Sequence, residues 1–256
     1  MNYKDCYLSE IYSAIQGEGP LVGVRQLFIR LSVCDLRCKW CDTPDSLIRS
    51  EFCNIENTSG QRDFYKIPNP INFTQVVDLI EKLNVIEHHS ISFTGGEPLL
   101  QVDFLQYCLP KIKERIKTKI YLESGGHRPN ELKKIIDFID YISMDFKLPS
   151  SADTGFLWDK HKEFLEISLN ANKNTWIKIV LTKETTFEEL VKSIEIVKAL
   201  NTNYKNNVEI FLQPVTKING IAPPEEISLL NIQSELLKIY PHIRVIPQVH
   251  KLIDQM

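Results

Sequence analysis

The sequence predicts an α/β fold, a partial, open (β/α) barrel with about six to seven mainly parallel strands. Short β-rich runs recur along the chain, and stretches of helical apolar spacing separate them. The polar and glycine-rich motifs fall directly after the expected strands, where βα loops gather around a site.

Taken in order, residues 26–31 (Gln-Leu-Phe-Ile-Arg-Leu) read as the first core strand, with a cysteine loop immediately behind it. The stretch 49–72 carries Asn54, Asn57, Ser59, Gly60, Pro68 and Pro70, a composition that predicts a loop or small insertion. Over 74–87, Val76, Val77, Leu79, Ile80 and Leu83 recur at helical spacing, with Thr74 placed to cap the N-terminus. Further strands are expected at 90–93, 119–122, 141–146, 176–181, 208–212 and 243–246. Helices are expected at 102–117, 130–138, 153–169, 187–200 and 224–240. About seven strands fall short of a regular eight-fold barrel, so an open one fits better. One domain is expected over 1–256, with the insertion at about 49–72 and a C-terminal extension from about 223.

Composition narrows the class. With 43% hydrophobic and 25% charged residues, the 256-residue chain can bury an ordinary core. A net charge of −3 gives no electrostatic reason to expect a nucleic acid or an anionic membrane as partner. Apolar runs are too short for a membrane-spanning helix. The first residues lack an apolar signal region, and six cysteines fit a reducing compartment, so a cytoplasmic protein is expected.

Cys34, Cys38 and Cys41 form a C-x3-C-x2-C run. Three thiolates so close together can hold three irons of a 4Fe-4S cluster and leave the fourth open to another ligand. A structural zinc site wants four ligands, and no second cysteine pair exists, because Cys6, Cys53 and Cys108 are scattered. A disulfide framework suits short secreted chains. The open-site cluster is therefore favoured over zinc or chance spacing. Thr94-Gly95-Gly96-Glu97-Pro98 follows the 90–93 strand, and its glycines let backbone approach a ligand; a plain strand-to-helix turn explains them equally well. Glu123-Ser124-Gly125-Gly126, Ser143-Met144-Asp145-Phe146-Lys147 and Gln213 also sit at strand ends, where polar groups can converge. Taken singly, such residues are mostly solvated or paired surface groups.

Together, the cysteine run, Trp40 before its third cysteine and the Gly-Gly-Glu-Pro run resemble the radical S-adenosylmethionine (SAM) superfamily over about 25–213. The segment from Glu10 to Gly19, with Gly23, Phe28 to Leu31, Asp42-Thr43 and Pro247 to Lys251, is similar to the 7-carboxy-7-deazaguanine synthase family of queuosine and deazapurine biosynthesis. That resemblance implies a lyase with a 4Fe-4S cluster on Cys34, Cys38 and Cys41, SAM and Mg2+. SAM would meet Trp40, Cys41, Asp42, Gly96, Ser124, Ser143, Met144, Asp145 and Gln213. Ile15, Gln16, Gly17, Arg30, Thr94 and His250 would bind a pterin substrate, with Arg30 on its carboxylate, and Thr43 would ligate Mg2+. The implied reaction starts with reductive cleavage of SAM. Hydrogen is then taken from C6 of 6-carboxy-5,6,7,8-tetrahydropterin, and ring contraction with loss of ammonia gives 7-carboxy-7-deazaguanine. A homodimer and a reducing partner such as flavodoxin are implied as well. The rival readings are a glycyl-radical enzyme activase, which would share the cysteines and SAM, and a non-catalytic iron–sulfur protein.

Overall fold

A computed structural model describes residues 3–201 and 207–255. Strands β1 (Asp5–Cys6), β2 (Leu8–Ile15), β3 (Arg25–Leu31), β4 (Phe52–Glu56), β5 (Phe64–Pro68) and β6 (Ile71–Asn72) precede the first helix, α1 (Phe73–Lys82). Alternation follows: β7 (Ser90–Gly95), α2 (Val102–Ile116), β8 (Lys119–Ser124), α3 (Pro129–Ile135), β9 (Tyr141–Asp145), α4 (Pro149–Ala152) and α5 (Trp158–Asn170). The chain continues through β10 (Asn174–Leu181), α6 (Phe187–Asn201), β11 (Ile210–Pro214), α7 (Glu226–Leu237), β12 (Ile243–Val245) and α8 (Val249–Leu252).

Among the described residues, ten strands form one sheet in the order β12-β11-β10-β9-β8-β7-β3-β2-β4-β5. The run from β3 to β12 is parallel throughout and comprises the seven strands expected from the sequence. Its strands alternate cleanly between two faces. Ile91, Phe93, Ile120, Leu122, Ile142, Met144, Ile177 and Ile179 join helix residues such as Leu105, Leu109, Phe164 and Ile194 in one core. The intervening residues face the barrel interior. Toward the N-terminal strand ends these are Tyr121, Trp176 and Phe211, which pack together as an aromatic plug. Two residues further along each strand, toward the C-terminal ends, stand the polar Glu123, Lys178 and Gln213.

Within residues 49–72, expected as a loop or small insertion, the chain forms an antiparallel hairpin, β4–β5, that extends the sheet beyond β2. Cys53 and Ile55 alternate inward and are fully buried, which holds the strand despite its polar composition. Pairing of β2 with β4 is registered only at Glu10 and Ile11. The buried Glu56 carboxylate serves the next backbone donor instead, accepting from Ser13 N at 2.8 Å and from Arg62 N at 2.9 Å.

Two helix boundaries also differ from expectation. The N-cap of α1 is Asn72, not Thr74: Asn72 has extended backbone, accepts from Gln75 N at 3.1 Å, and receives the Gln75 side chain in return. Thr74 already lies inside the first turn, where its own side chain cannot cap. The helix expected over 153–169 begins only at Trp158, as α5, because Asp153 and Gly155 take left-handed backbone (φ 59° and 70°), and the short α4 ends just before them.

Replacing Asn72 with Ala removes one half of the capping box. A loss of about 1 kcal/mol in urea unfolding is expected, with cluster loading and activity unchanged, since Asn72 lies outside the cavity described below.

Candidate functional site

A cavity of about 370 Å³ opens at the C-terminal strand ends. The cysteine loop leaves β3 and crosses its rim. The close fit of this loop explains both glycines after β7. A Cβ on Gly95 would lie 2.0 Å from the Leu31 carbonyl oxygen, and one on Gly96 only 2.3 Å from that of Val33. Glu97 N donates to the Val33 carbonyl at 2.9 Å, so β7's exit turn is bonded to the start of the loop. The Glu97 carboxylate is buried and accepts from Ser124 Oγ, Gly125 N and Leu99 N.

Cys34, Cys38 and Cys41 are free thiols on the cavity wall, whereas Cys6, Cys53 and Cys108 are buried in the hydrophobic core. Burial pushes the Cys34 thiol up to about 11 and raises Cys38 as well. A cationic metal centre reverses this preference by binding the thiolates. Among the described residues no three His, Cys, Asp or Glu side chains converge tightly enough to grip a single ion. A cluster does not require that, since each cysteine serves a different iron. The donor set therefore fits a 4Fe-4S group better than zinc.

One wall is built from buried charges. Lys178 Nζ lies 2.6 Å from Glu18 Oε2 and 3.3 Å from Asp145 Oδ2, and Lys147 Nζ lies 2.7 Å from the same Asp145 oxygen. Burial alone would raise the Glu18 carboxyl, but Lys178 outweighs it and holds the group at about 2. Lys147 also stands 4.2 Å above the Trp40 ring. Asp145 Oδ1 and Trp40 Nε1 are buried without a hydrogen-bond partner, which suits a polar ligand lying between them and the cysteines.

A second polar group lines the same cavity. Gln16 Nε2 donates to Gln26 Oε1 at 2.9 Å and to Glu123 Oε1 at 3.0 Å, and Thr94 Oγ1 donates to Glu123 Oε2 at 2.9 Å. The Gln16 amide is thus engaged in orienting Glu123. Arg30 Nε donates to Glu10 Oε2 at 3.0 Å, and Arg30 Nη2 to the Tyr12 hydroxyl at 2.5 Å. Tyr12 in turn stacks on Phe28 with ring centroids 5.2 Å apart.

The C-terminal helix α8 borders the cavity through His250 and Lys251. Val249 N donates to the Gly17 carbonyl at 3.0 Å, and Gln248 Nε2 reaches Glu18 Oε1 and Asp42 Oδ2. A Cβ on Gly17 would fall 2.3 Å from His250 Nδ1, so only glycine lets the histidine seat there. Thr43 occupies the N-cap position of a short 3-10 turn but makes no side-chain cap bond. Its hydroxyl lies 3.9 Å from Cys41 Sγ.

Of the residues expected from sequence, Ile15, Gln16, Gly17, Arg30, Thr94 and His250 line this cavity. So do Trp40, Asp42, Thr43, Gly96, Ser124, Ser143, Asp145 and the three cysteines. Two do not. Met144 points the other way along β9, into the core beneath Gly126, because strand side chains alternate. Gln213 lines a neighbouring cavity of about 160 Å³ and donates to Glu18 Oε1 at 2.9 Å. Glu10, Tyr12, Glu18 and Lys178 carry no site role in the sequence reading, and Glu123 appears there only as a polar residue at a strand end. For Lys178 a signal existed: a lone cation inside the apolar run Trp-Ile-Lys-Ile-Val-Leu.

Residues 28–197 match the radical SAM superfamily. The chain is 38% identical to the 7-carboxy-7-deazaguanine synthase of Geobacter sulfurreducens, with 100% of each chain aligned. Identity to the enzyme of the same name from Archaeoglobus fulgidus is 33%, over 96% of this chain and 97% of that one. The fold is similar to that of QueE from Escherichia coli, with a TM-score of 0.60 at 17% identity, covering 96% of this chain and 95% of the other.

Two outcomes follow from the geometry. Gly17→Ala should unseat α8, read as faster proteolysis near residue 250 in an otherwise folded protein. The Glu18 carboxyl is depressed from its ordinary 4.5 to about 2, so its stabilising contribution is complete above about 4.5 and lost as pH falls toward 2. Lys178→Met should remove that acid limb from denaturation profiles recorded between these values.

Proposed function

The chain belongs to the radical SAM superfamily and, within it, to the 7-carboxy-7-deazaguanine synthases, and we propose that it converts 6-carboxy-5,6,7,8-tetrahydropterin to 7-carboxy-7-deazaguanine with loss of ammonia. One observation carries this reading. A single cavity brings three thiols and a charged cluster together with a guanidinium and a carboxylate, as a cofactor and a small polar substrate bound side by side would need.

Cys34, Cys38 and Cys41 would hold the cluster, and Trp40, Asp42, Gly96, Ser124, Ser143, Asp145 and Gln213 would surround SAM. When bound, cluster and SAM supply the one-electron chemistry that removes hydrogen from C6. The protein's own part is to position and to exclude water. Arg30, fixed by Glu10 and Tyr12, keeps Nη1 for the substrate carboxylate. Glu123, fixed by Gln16 and Thr94, offers acceptor lone pairs to the N–H edge of an aminopyrimidinone ring. Ile15, Gly17 and His250 would flank the ring. The Thr43 hydroxyl, free of capping duty, is a suitable hard ligand for Mg2+, whose remaining ligands would be waters and substrate oxygens. A homodimer, a flavodoxin-type electron donor and a cytoplasmic location complete the reading. In support of the last, no helix among the described residues is long and apolar enough to cross a membrane.

The test is anaerobic reconstitution with dithionite, SAM and 6-carboxytetrahydropterin, with products followed by mass spectrometry. 7-Carboxy-7-deazaguanine is expected, and Cys38→Ala should abolish both product and 5′-deoxyadenosine. Cleavage of SAM without ring contraction would move the substrate elsewhere, toward the activase reading. Arg30→Lys should raise KM about ten- to a hundredfold, the value of a charge-assisted contact, with SAM cleavage in the absence of substrate unaltered.

A further inference from the structure

The cysteine loop has little regular structure, yet a side chain within it is tied to a different strand end. Asp35, directly after Cys34, presents its two carboxylate oxygens to two partners. Oδ1 lies 2.9 Å from His127 Nε2, and Oδ2 accepts from Arg128 Nη2 at 2.7 Å. Both partners stand in the turn between β8 and α3, 92 and 93 positions away in sequence.

His127 is suited to bear load. Its side chain is only 3% exposed, and its other ring nitrogen, Nδ1, is buried without a hydrogen bond, 3.8 Å from the buried Glu97 carboxylate. Gly125 makes room for the ring, since a Cβ there would lie 2.9 Å from His127 Nδ1. Glu97 is itself bonded to Ser124 and Gly125 in the same turn. The turn after β8 therefore grips the exit of β7 through Glu97 and the cysteine loop through Asp35. Arg128 adds a second anchor through Glu131 at 3.2 Å.

We propose that Asp35, His127 and Arg128 form a latch that positions the cluster-ligating loop, fixing where Cys34 presents its thiol and slowing loss of the cluster. They are positioning residues and bond no iron. The latch stiffens the loop at Cys34 from outside the cavity, in the way that groups behind a metal ligand commonly set its orientation. This inference rests on the cluster alone and is independent of the pterin assignment.

The experiment needs no substrate. Asp35→Ala, His127→Ala and the double variant are reconstituted anaerobically, and iron release to a ferrous chelator is followed. Each single variant should lose iron about tenfold faster than the parent. The double variant should be no faster than the faster single, because one interaction is shared. The EPR g-values of the reduced cluster should shift in both singles, a change that general loss of stability would not produce. Hydrogen exchange over 34–41 in the metal-free chain should rise as well. Parental release rates and g-values in Asp35→Ala would overturn the proposal, as would simple multiplication of the two effects. Asp35 is 36% exposed, so its variant should fold even where His127→Ala does not, and Arg128→Gln then serves as the second arm.

Discussion

The pairing of β3 with β7 is the constraint on which the rest depends. Its parallel register sets Arg30 beside Thr94 and Leu31 beside Gly95, and delivers two exit turns to one point. There the backbones come too close for any Cβ at residues 95 and 96. Everything distinctive about the cavity hangs from this junction: the cysteine loop continues β3, the Glu97 carboxylate continues β7, and β8 is reached by that carboxylate. The Gly-Gly pair is thus structurally required before any ligand is considered. Ligand approach and turn geometry are not competing explanations of these glycines, because the same absence of side chains serves both.

The second organising feature is the concentration of charge away from water. Lys178, Glu18, Asp145 and Lys147 are mutually compensated, and for Glu18, Lys147 and Lys178 burial opposes the charged form while oppositely charged neighbours restore it. Such an arrangement adds little to stability on balance, yet it is expensive to disrupt by removing one member. It also gives the cavity a fixed electrostatic pattern that no solvent has to reorganise when a ligand arrives.

How much was legible depended on whether information was local. The seven parallel strands are short β-rich runs bounded by turn residues, so each announced itself. The cysteines and the Gly-Gly-Glu-Pro run are each compact in sequence, and Cys34, Cys38, Cys41, Gly95, Gly96 and Glu97 all line the cavity. Hidden were features set by the phase of a strand or by a distant partner. The apolar run around Lys178 marks the lysine without giving the phase of its strand, and nothing local tells that Met144 turns away while Asp145 turns in. The β4–β5 hairpin was masked by the Asn, Ser, Gly and Pro residues scattered through 49–72, and the buried Cys53 and Ile55 reveal its alternating face. Asn72 and Thr74 are both residue types that cap helices, and it is the extended backbone at Asn72 that makes it the cap.

The aromatic plug has a consequence for access. Tyr121, Trp176 and Phe211 stopper the interior at the N-terminal strand ends, and Trp176 also abuts Gly19 of the loop that follows β2. The interior is therefore filled from the opposite end, where the cysteine loop and α8 border the cavity, and three rings at the base decide the side from which any occupant arrives.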